Sequence, residues 1–575
     1  MKKREILHEK VTYTDMRDLV ERAGELYADR NAYSFKRKAS QKEPTTVTFP
    51  EMRDAVRGLA TEFLARGYKG KHIAVIGKNS YEWYCSYYAI LIADAVIVPL
   101  DRDWAAADLA DTVLKAECEV LVCDPELADK AAVICEKTGI KDVFYLAPVT
   151  EETEAEEEKA PVITIGDLTE AGKAKFAESS DVYFNNSIDV NKMSILVFTS
   201  GTTGKGKGVM LSQNNVLSDM TEVVQYVDFG KITVGVLPPH HTFGSSVMIV
   251  GHTIIGAEIY ISSGLRYIQK ELKEIKPEHM VLVPLYLETF YRKILANIKA
   301  QKKEKLFAVM TKISNFLCKL GIDLRKKLFK EVRAAFGGEL KMAISGGAPL
   351  NREMVDFFEA CGIGTLNGYG ITECAPIISV NHTKNNVKGS VGFVLDVEDL
   401  KISEPNEDGE GEICVKGPNV MMGYYKDEEA TAEAFDEDGY FKTGDYGKIG
   451  KKGALFITGR KKNLIILSNG KNVYPEEIEN ELNTVPGVLD IVVYEGQSKR
   501  GLQHNAIVAE IYPDAEYIEK NEITDIKAHL QPYVDAYNRT AVPYKKITVL
   551  KVRTEEFPKN TLRKIMRFKI DTTID

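Results

Sequence analysis

Ten consecutive residues, Thr199, Ser200, Gly201, Thr202, Thr203, Gly204, Lys205, Gly206, Lys207 and Gly208, hold four glycines, three threonines, a serine and two lysines. Such a run cannot build a packed element, but it can wrap phosphate. Glycine lets backbone N–H groups come close, and hydroxyl and ammonium groups converge on the oxygens. The run leaves Ile195, Leu196, Val197 and Phe198, which read as a buried strand, so the loop has a fixed starting point. Gly201, Gly206 and Lys207 satisfy most of a P-loop pattern, yet Gly208 stands where that pattern needs a hydroxyl for magnesium. Val209, Met210 and Leu211 continue as strand, and Ser212 is the better helix cap. The loop is therefore a phosphate grip of another kind.

Further along, Ser345, Gly346, Gly347, Ala348 and Pro349 follow a strand over 340–344, and a glycine turn at a strand end is where open α/β sheets bind ligands. Leu366, Asn367, Gly368, Tyr369, Gly370, Ile371, Thr372, Glu373 and Cys374 set small residues around an aromatic, leaving room for a flat ring. Thr372 can donate to phosphate and Glu373 can hold magnesium. Residues 440–445 read as a turn that presents Asp445, whose two oxygens suit the two donors of a ribose diol. His240 and His241 are adjacent, but neighbouring side chains rarely face one ion, so a packed loop is expected there and not zinc.

These groups need a scaffold. Over 575 residues the chain should form more than one domain, and 44% apolar with 28% charged residues is ordinary globular composition. Helices are expected over 16–28 and 50–66, and strands at 73–76, 96–98 and 120–122, alternating as in an α/β fold with largely parallel sheets. The apolar stretch 84–100, broken by Asp94, reads as buried helix then strand and not as a membrane span. A net charge of −9 gives no general attraction to nucleic acid. Eight cysteines without a CxxC pair, and a basic start without an apolar h-region, fit reduced thiols in a cytoplasmic protein. Residues 151–159 form an acidic run expected to be a solvated loop. Residues 299–330 carry lysines beside an apolar helical period, expected as one basic amphipathic helix that packs on its own domain or rests on anionic headgroups at the inner membrane face.

In order and spacing, these blocks resemble the adenylate-forming superfamily of acyl-CoA synthetases and luciferases across roughly residues 45–570. Residues 368–381, and 459–463 leading to 472–479, are most similar to bacterial long-chain fatty-acid–CoA ligases. The resemblance implies a large N-terminal domain (1–461) of α/β subdomains and a small mobile α+β cap (462–575). It implies that Thr199, Ser200, Gly201, Thr202, Thr203, Gly204 and Lys207 grip ATP phosphates, and that Thr199 with Glu373 holds Mg²⁺. Gly347, Ala348, Pro349, Asn367, Gly368, Tyr369, Gly370 and Thr372 would surround the nucleotide, with Asp445 and Arg460 on the ribose. His241, Gly346 and Gly370 would line the acyl pocket, Lys462 would be the hinge, and Gly470 would mark the CoA channel. Lys564 would swing over for adenylation, joining Lys207, Thr372 and Glu373 as catalytic groups.

The chain departs from the family pattern at Gly206, where proline is usual and a looser bend is implied, and at Arg563, where glycine is usual. The implied activity is fatty-acid activation to acyl-AMP followed by transfer to CoA. An acyl carrier protein as acceptor is one alternative, and a catalytically impaired nucleotide sensor or scaffold is another.

Overall fold

The computed structural model describes residues 5–38, 40–147, 162–199, 206–348, 350–467, 472–497, 506–559 and 565–574. Local signals in the sequence set many of the helix starts. Asp15 caps Met16–Leu26, and Thr48 with Glu51 forms a capping box on Phe49–Ala65. Ser212, accepting from the Asn215 N–H, opens Gln213–Val223 as expected. Tyr81–Ile92 is buried along almost its whole surface, which is why its sequence has no polar face. The Val96–Leu100 strand after it is buried at every position, as in a sheet covered on both sides.

The largest sheet has seven strands. From one edge they run Gly423–Tyr424, Lys207–Ser212, Met193–Thr199, Val96–Leu100, His72–Ile76, Cys118–Cys123 and Asp142–Tyr145. Lys207–Ser212 pairs antiparallel with both of its neighbours, and the strands from Met193–Thr199 onward pair in parallel. A five-stranded sheet places His279–Leu282, Met342–Ser345 and Gly364–Gly370 in parallel, then adds Ile377–Val380 and Phe393–Val394 antiparallel. A third sheet combines Asn31–Phe35 and Thr45–Thr48 with Ile232–Gly235 and Glu258–Ile261. The fourth is wholly antiparallel, built from Asp399–Ser403, Gly411–Lys416, Phe441–Ile449 and Leu455–Arg460. The α/β class holds, with sheets that are mixed.

A small C-terminal domain has its own core. Ile478 and Leu482 of Pro475–Leu482, and Leu530 and Val534 of Ile526–Thr540, pack on Val493, Ile507 and Ala509 of its three-stranded sheet.

Two expectations are corrected. Residues 440–445 are not a turn: Phe441–Ile449 is strand, and left-handed Gly444 with a register shift at 446/447 lets it bend without leaving the sheet. Residues 299–330 are not one helix. Pro284–Ala300 closes where Lys302 turns left-handed and the Lys303 N–H bonds back to the Ile298 carbonyl. Glu304–Lys319 then closes in the same way at left-handed Gly321, with the Ile322 N–H on the Leu317 carbonyl.

Candidate active site

Antiparallel pairing sets Thr199 directly opposite Lys207, and the Thr199 hydroxyl donates to the Lys207 carbonyl at 3.4 Å. Both ends of the glycine-rich loop are thereby pinned. Ser200, Gly201, Thr202, Thr203 and Gly204 lie outside the described residues. Gly206 stands directly before the strand that Lys207 opens. Its carbonyl accepts from Lys115 Nζ at 3.0 Å, and a Cβ there would sit 2.7 Å from the Thr199 carbonyl oxygen, so the chain passes too close for a side chain.

Lys207 Nζ stands over the Tyr424 ring, 4.6 Å from its centroid. The Tyr424 hydroxyl donates to Glu373 Oε1 at 3.0 Å, and the Met421 N–H donates to the Glu373 carbonyl at 2.7 Å. Burial beside Glu373 pushes the Tyr424 phenol far above its ordinary range, so it stays a donor. Glu373 belongs to the short turn Thr372–Cys374 after the Gly364–Gly370 strand. A carboxylate and a hydroxyl are the hard-oxygen donors Mg²⁺ takes when phosphates complete its shell.

Four residues before Glu373, Tyr369 donates to Asp445 Oδ2 at 2.7 Å. Asp445 is only 2% exposed and lies opposite Arg460 in the antiparallel pair, whose Nε meets Asp445 Oδ1 at 3.0 Å. Residues 369–373 thus bridge the Lys207–Tyr424–Glu373 cluster and the Asp445–Arg460 pair. On adjacent parallel strands, paired in register, the buried Ser345 hydroxyl and the Asn367 side-chain oxygen have no hydrogen-bond partner among the described residues. An unpaired buried acceptor is costly, and the amino edge of a base would satisfy it.

A family model described as AMP-binding enzyme matches residues 20–425. The chain belongs to the AMP-binding enzyme family. Membership supports adenylate-forming acid–thiol ligation as the chemistry of this AMP-binding enzyme. It is 28% identical over 497 residues to long-chain-fatty-acid–CoA ligase 5 of Rattus norvegicus, covering 82% of this chain and 71% of that one. It is 28% identical over 525 residues to the chloroplastic long-chain-fatty-acid–[acyl-carrier-protein] ligase AEE15 of Arabidopsis thaliana, covering 80% and 72%. Its fold matches ATP-bound MatB from Rhodopseudomonas palustris with a TM-score of 0.71 at 24% identity, over 96% of this chain and 98% of that one.

The remaining sequence candidates divide by position. Phe243 packs against Gly346, where a Cβ would meet its ring at 3.1 Å, so the 240–243 loop adjoins the glycine turn. The His241 ring lies 4.8 Å from that of His240, whose Nε2 is 3.6 Å from Asp101 Oδ2. The two histidines are thus a packed loop. Gly370 runs against the Pro376 carbonyl, and Gly347 is left-handed beside Val283, next to Ala348. Lys462 sits in the turn Lys461–Asn463, with its ammonium pKa lowered by burial first and by Arg460 second. Pro349, Gly470 and Lys564 lie outside the described residues.

Lys559 and Ile565, which flank 560–564, form an antiparallel bridge, and Lys559 pairs with Asp490 at 2.7 Å. Arg292 of Pro284–Ala300 lies 3.7 Å from Asp514 of the small domain. The small domain therefore rests on the helix that follows the His279–Leu282 strand. Tyr424 carries no local signal: more than two hundred residues separate it from Lys207, and the antiparallel pairing of Gly423–Tyr424 with Val209 and Met210 brings them together.

Proposed function

We propose that this protein activates a medium- to long-chain fatty acid with ATP, giving acyl-AMP and pyrophosphate, and then passes the acyl group to the thiol of CoA. The observation that carries this reading is the 369–373 bridge, which joins a cation-and-carboxylate cluster suited to phosphates to a buried carboxylate suited to a ribose. A fatty acid is the substrate named for the rat relative, and CoA is its acceptor.

In the first step the carboxylate oxygen bonds to the α-phosphorus as the bond to the bridging oxygen breaks, and pyrophosphate leaves with that electron pair. Two anions must meet, so positive charge must gather there. The roles assigned to Thr199 and residues 200–204, with Lys207, are to hold the β- and γ-phosphates, and that of Thr372 is to donate to phosphate. Glu373 and the Thr199 hydroxyl would hold Mg²⁺, which neutralises phosphate charge when bound. Asn367, with Gly347, Ala348, Pro349, Gly368 and Gly370, would frame adenine, against which Tyr369 stacks. Asp445, held by Tyr369 and Arg460, would take the ribose hydroxyls. Lys564 would meet the charge developing on the α-phosphoryl oxygens. His241, Gly346 and Gly370 would face the acyl chain.

In the second step the thiolate attacks the acyl carbon and AMP departs. Lys564 and a pantetheine arm passing Gly470 compete for one space, which a swivel of the cap about Lys462 resolves, with the domain boundary at 461/462. A carrier-protein thiol as acceptor has the similarity to AEE15 in its favour. The test is thioester formation from acids between acetate and palmitate, each offered CoA and a phosphopantetheinylated acyl carrier protein. Palmitoyl-CoA is the expected product. Thioester on the carrier alone would transfer the reading to that acceptor, and none with either acceptor would end it.

A further inference from the structure

The adenylation reading leaves one feature of the Glu304–Lys319 helix unused. Leu306, Val309, Ile313 and Phe316, continued by Leu320 at its end, recur at spacings of three and four and so align in one stripe. That stripe faces outward, with exposures of 55%, 53%, 49%, 62% and 60% in the same order. Packing uses another side of the helix: Ser314 is buried, and Phe307 lies against Phe329 and Phe357 at ring distances of 5.3 and 5.2 Å. A lone exposed leucine needs no explanation, but a row of large apolar side chains about 21 Å long at ~1.5 Å per residue does.

Charge says what covers it. Lys305, Lys312 and Lys319 recur every two turns and line one border of the stripe. All three are exposed, and among the described residues none has a carboxylate within ion-pair distance. Lys303 and Lys326 nearby are, by contrast, tied to Glu331 and Glu339.

We infer that this face docks on an anionic lipid bilayer, with the stripe in the acyl–headgroup boundary and the lysine border on the headgroups. An interfacial helix takes this form, apolar side chains inward and lysine stems reaching out to charge. A second copy of the chain would bring two lysine borders together. A protein partner would find a ridge of protruding side chains and no groove. No helix among the described residues is long and apolar enough to cross a membrane, so attachment here is peripheral to the bilayer.

Flotation of the full chain with vesicles tests this without reference to catalysis, and so independently of the fatty-acid reading. The chain should float with phosphatidylcholine vesicles containing phosphatidylglycerol, much less with phosphatidylcholine alone, and less as salt rises. Lys305→Gln/Lys312→Gln/Lys319→Gln should weaken binding by about a hundredfold. Ile313→Glu/Phe316→Glu should abolish it, while both variants keep the parent melting temperature because the altered side chains are exposed. Absence of flotation with anionic vesicles, or flotation unchanged in either variant, overturns the inference. So does capture of a purified acidic carrier protein through this face by a chain that ignores vesicles.

Discussion

Tyr424 donates its phenolic hydrogen to Glu373 Oε1 across 3.0 Å, while Lys207 Nζ stands 4.6 Å from the centre of the same ring. The ring thus keeps an ammonium group and a carboxylate close without letting them neutralise each other. Lys207 stays free to face an anion and Glu373 a cation. Tyr424→Phe keeps the ring and removes the donor, so Glu373 loses its orientation and Lys207 keeps its platform. We expect the Mg²⁺ concentration for half-maximal pyrophosphate exchange to rise about fivefold, the value of one net hydrogen bond. An unchanged Mg²⁺ requirement would remove Tyr424 from this role.

Asp445 is buried and engaged by Tyr369 and Arg460, which fixes the direction of its carboxylate. Asp445→Asn replaces an acceptor by a group that must also donate, next to a guanidinium. AMP affinity measured by calorimetry should fall at least about tenfold, and KM for ATP should rise more than kcat falls. Equal AMP affinity in the variant and parent would refute the ribose assignment.

Lys564 is assigned to the first half-reaction only. Lys564→Ala should slow acid-dependent pyrophosphate exchange by about 10²–10³-fold, as loss of one charge-stabilising donor does elsewhere. Thioester formation from supplied acyl-AMP should be largely retained. Parallel loss of both half-reactions would contradict the assignment.

His252 and His279 form a buried pair whose Nε2 atoms lie 2.9 Å apart. His252 Nδ1 donates to the Val247 carbonyl and His279 Nδ1 accepts from the Gly230 N–H, so both rings are neutral and His279 supplies the proton between them. Burial pushes His252 down from 6.5 to about 4, and burial with the neighbouring His252 also pushes His279 well below the ordinary imidazole range. The unfolded chain therefore binds these protons first. The stability they contribute is complete above about pH 6.5 and drains as pH falls toward about 4. The melting temperature of the parent should drop more between about pH 7 and about pH 5 than that of His279→Asn. Equal drops would show that the pair carries no such linkage.

Much of this was legible in the chain. Buried strands such as Val96–Leu100 and helix caps such as Ser212 are local signals, and local chemistry decides them. The close approach of Gly206 to the Thr199 carbonyl was not legible, because that carbonyl belongs to the opposite strand. Tyr424 was invisible for a related reason, since pairing between 209 and 424 is a tertiary fact. The single-helix reading of 299–330 counted periodicity and overlooked left-handed closure at Lys302 and Gly321. Asp445 was singled out as a carboxylate, but its partner across the strand pair was fixed by register.

The most direct test of the central claim is exchange of labelled pyrophosphate into ATP by the purified full chain, with and without palmitate. The account predicts exchange that requires both Mg²⁺ and the acid, and that Asp445→Asn suppresses. Nucleotide binding without acid-dependent exchange, across acids from acetate to palmitate, would contradict it and leave a nucleotide-binding scaffold in its place.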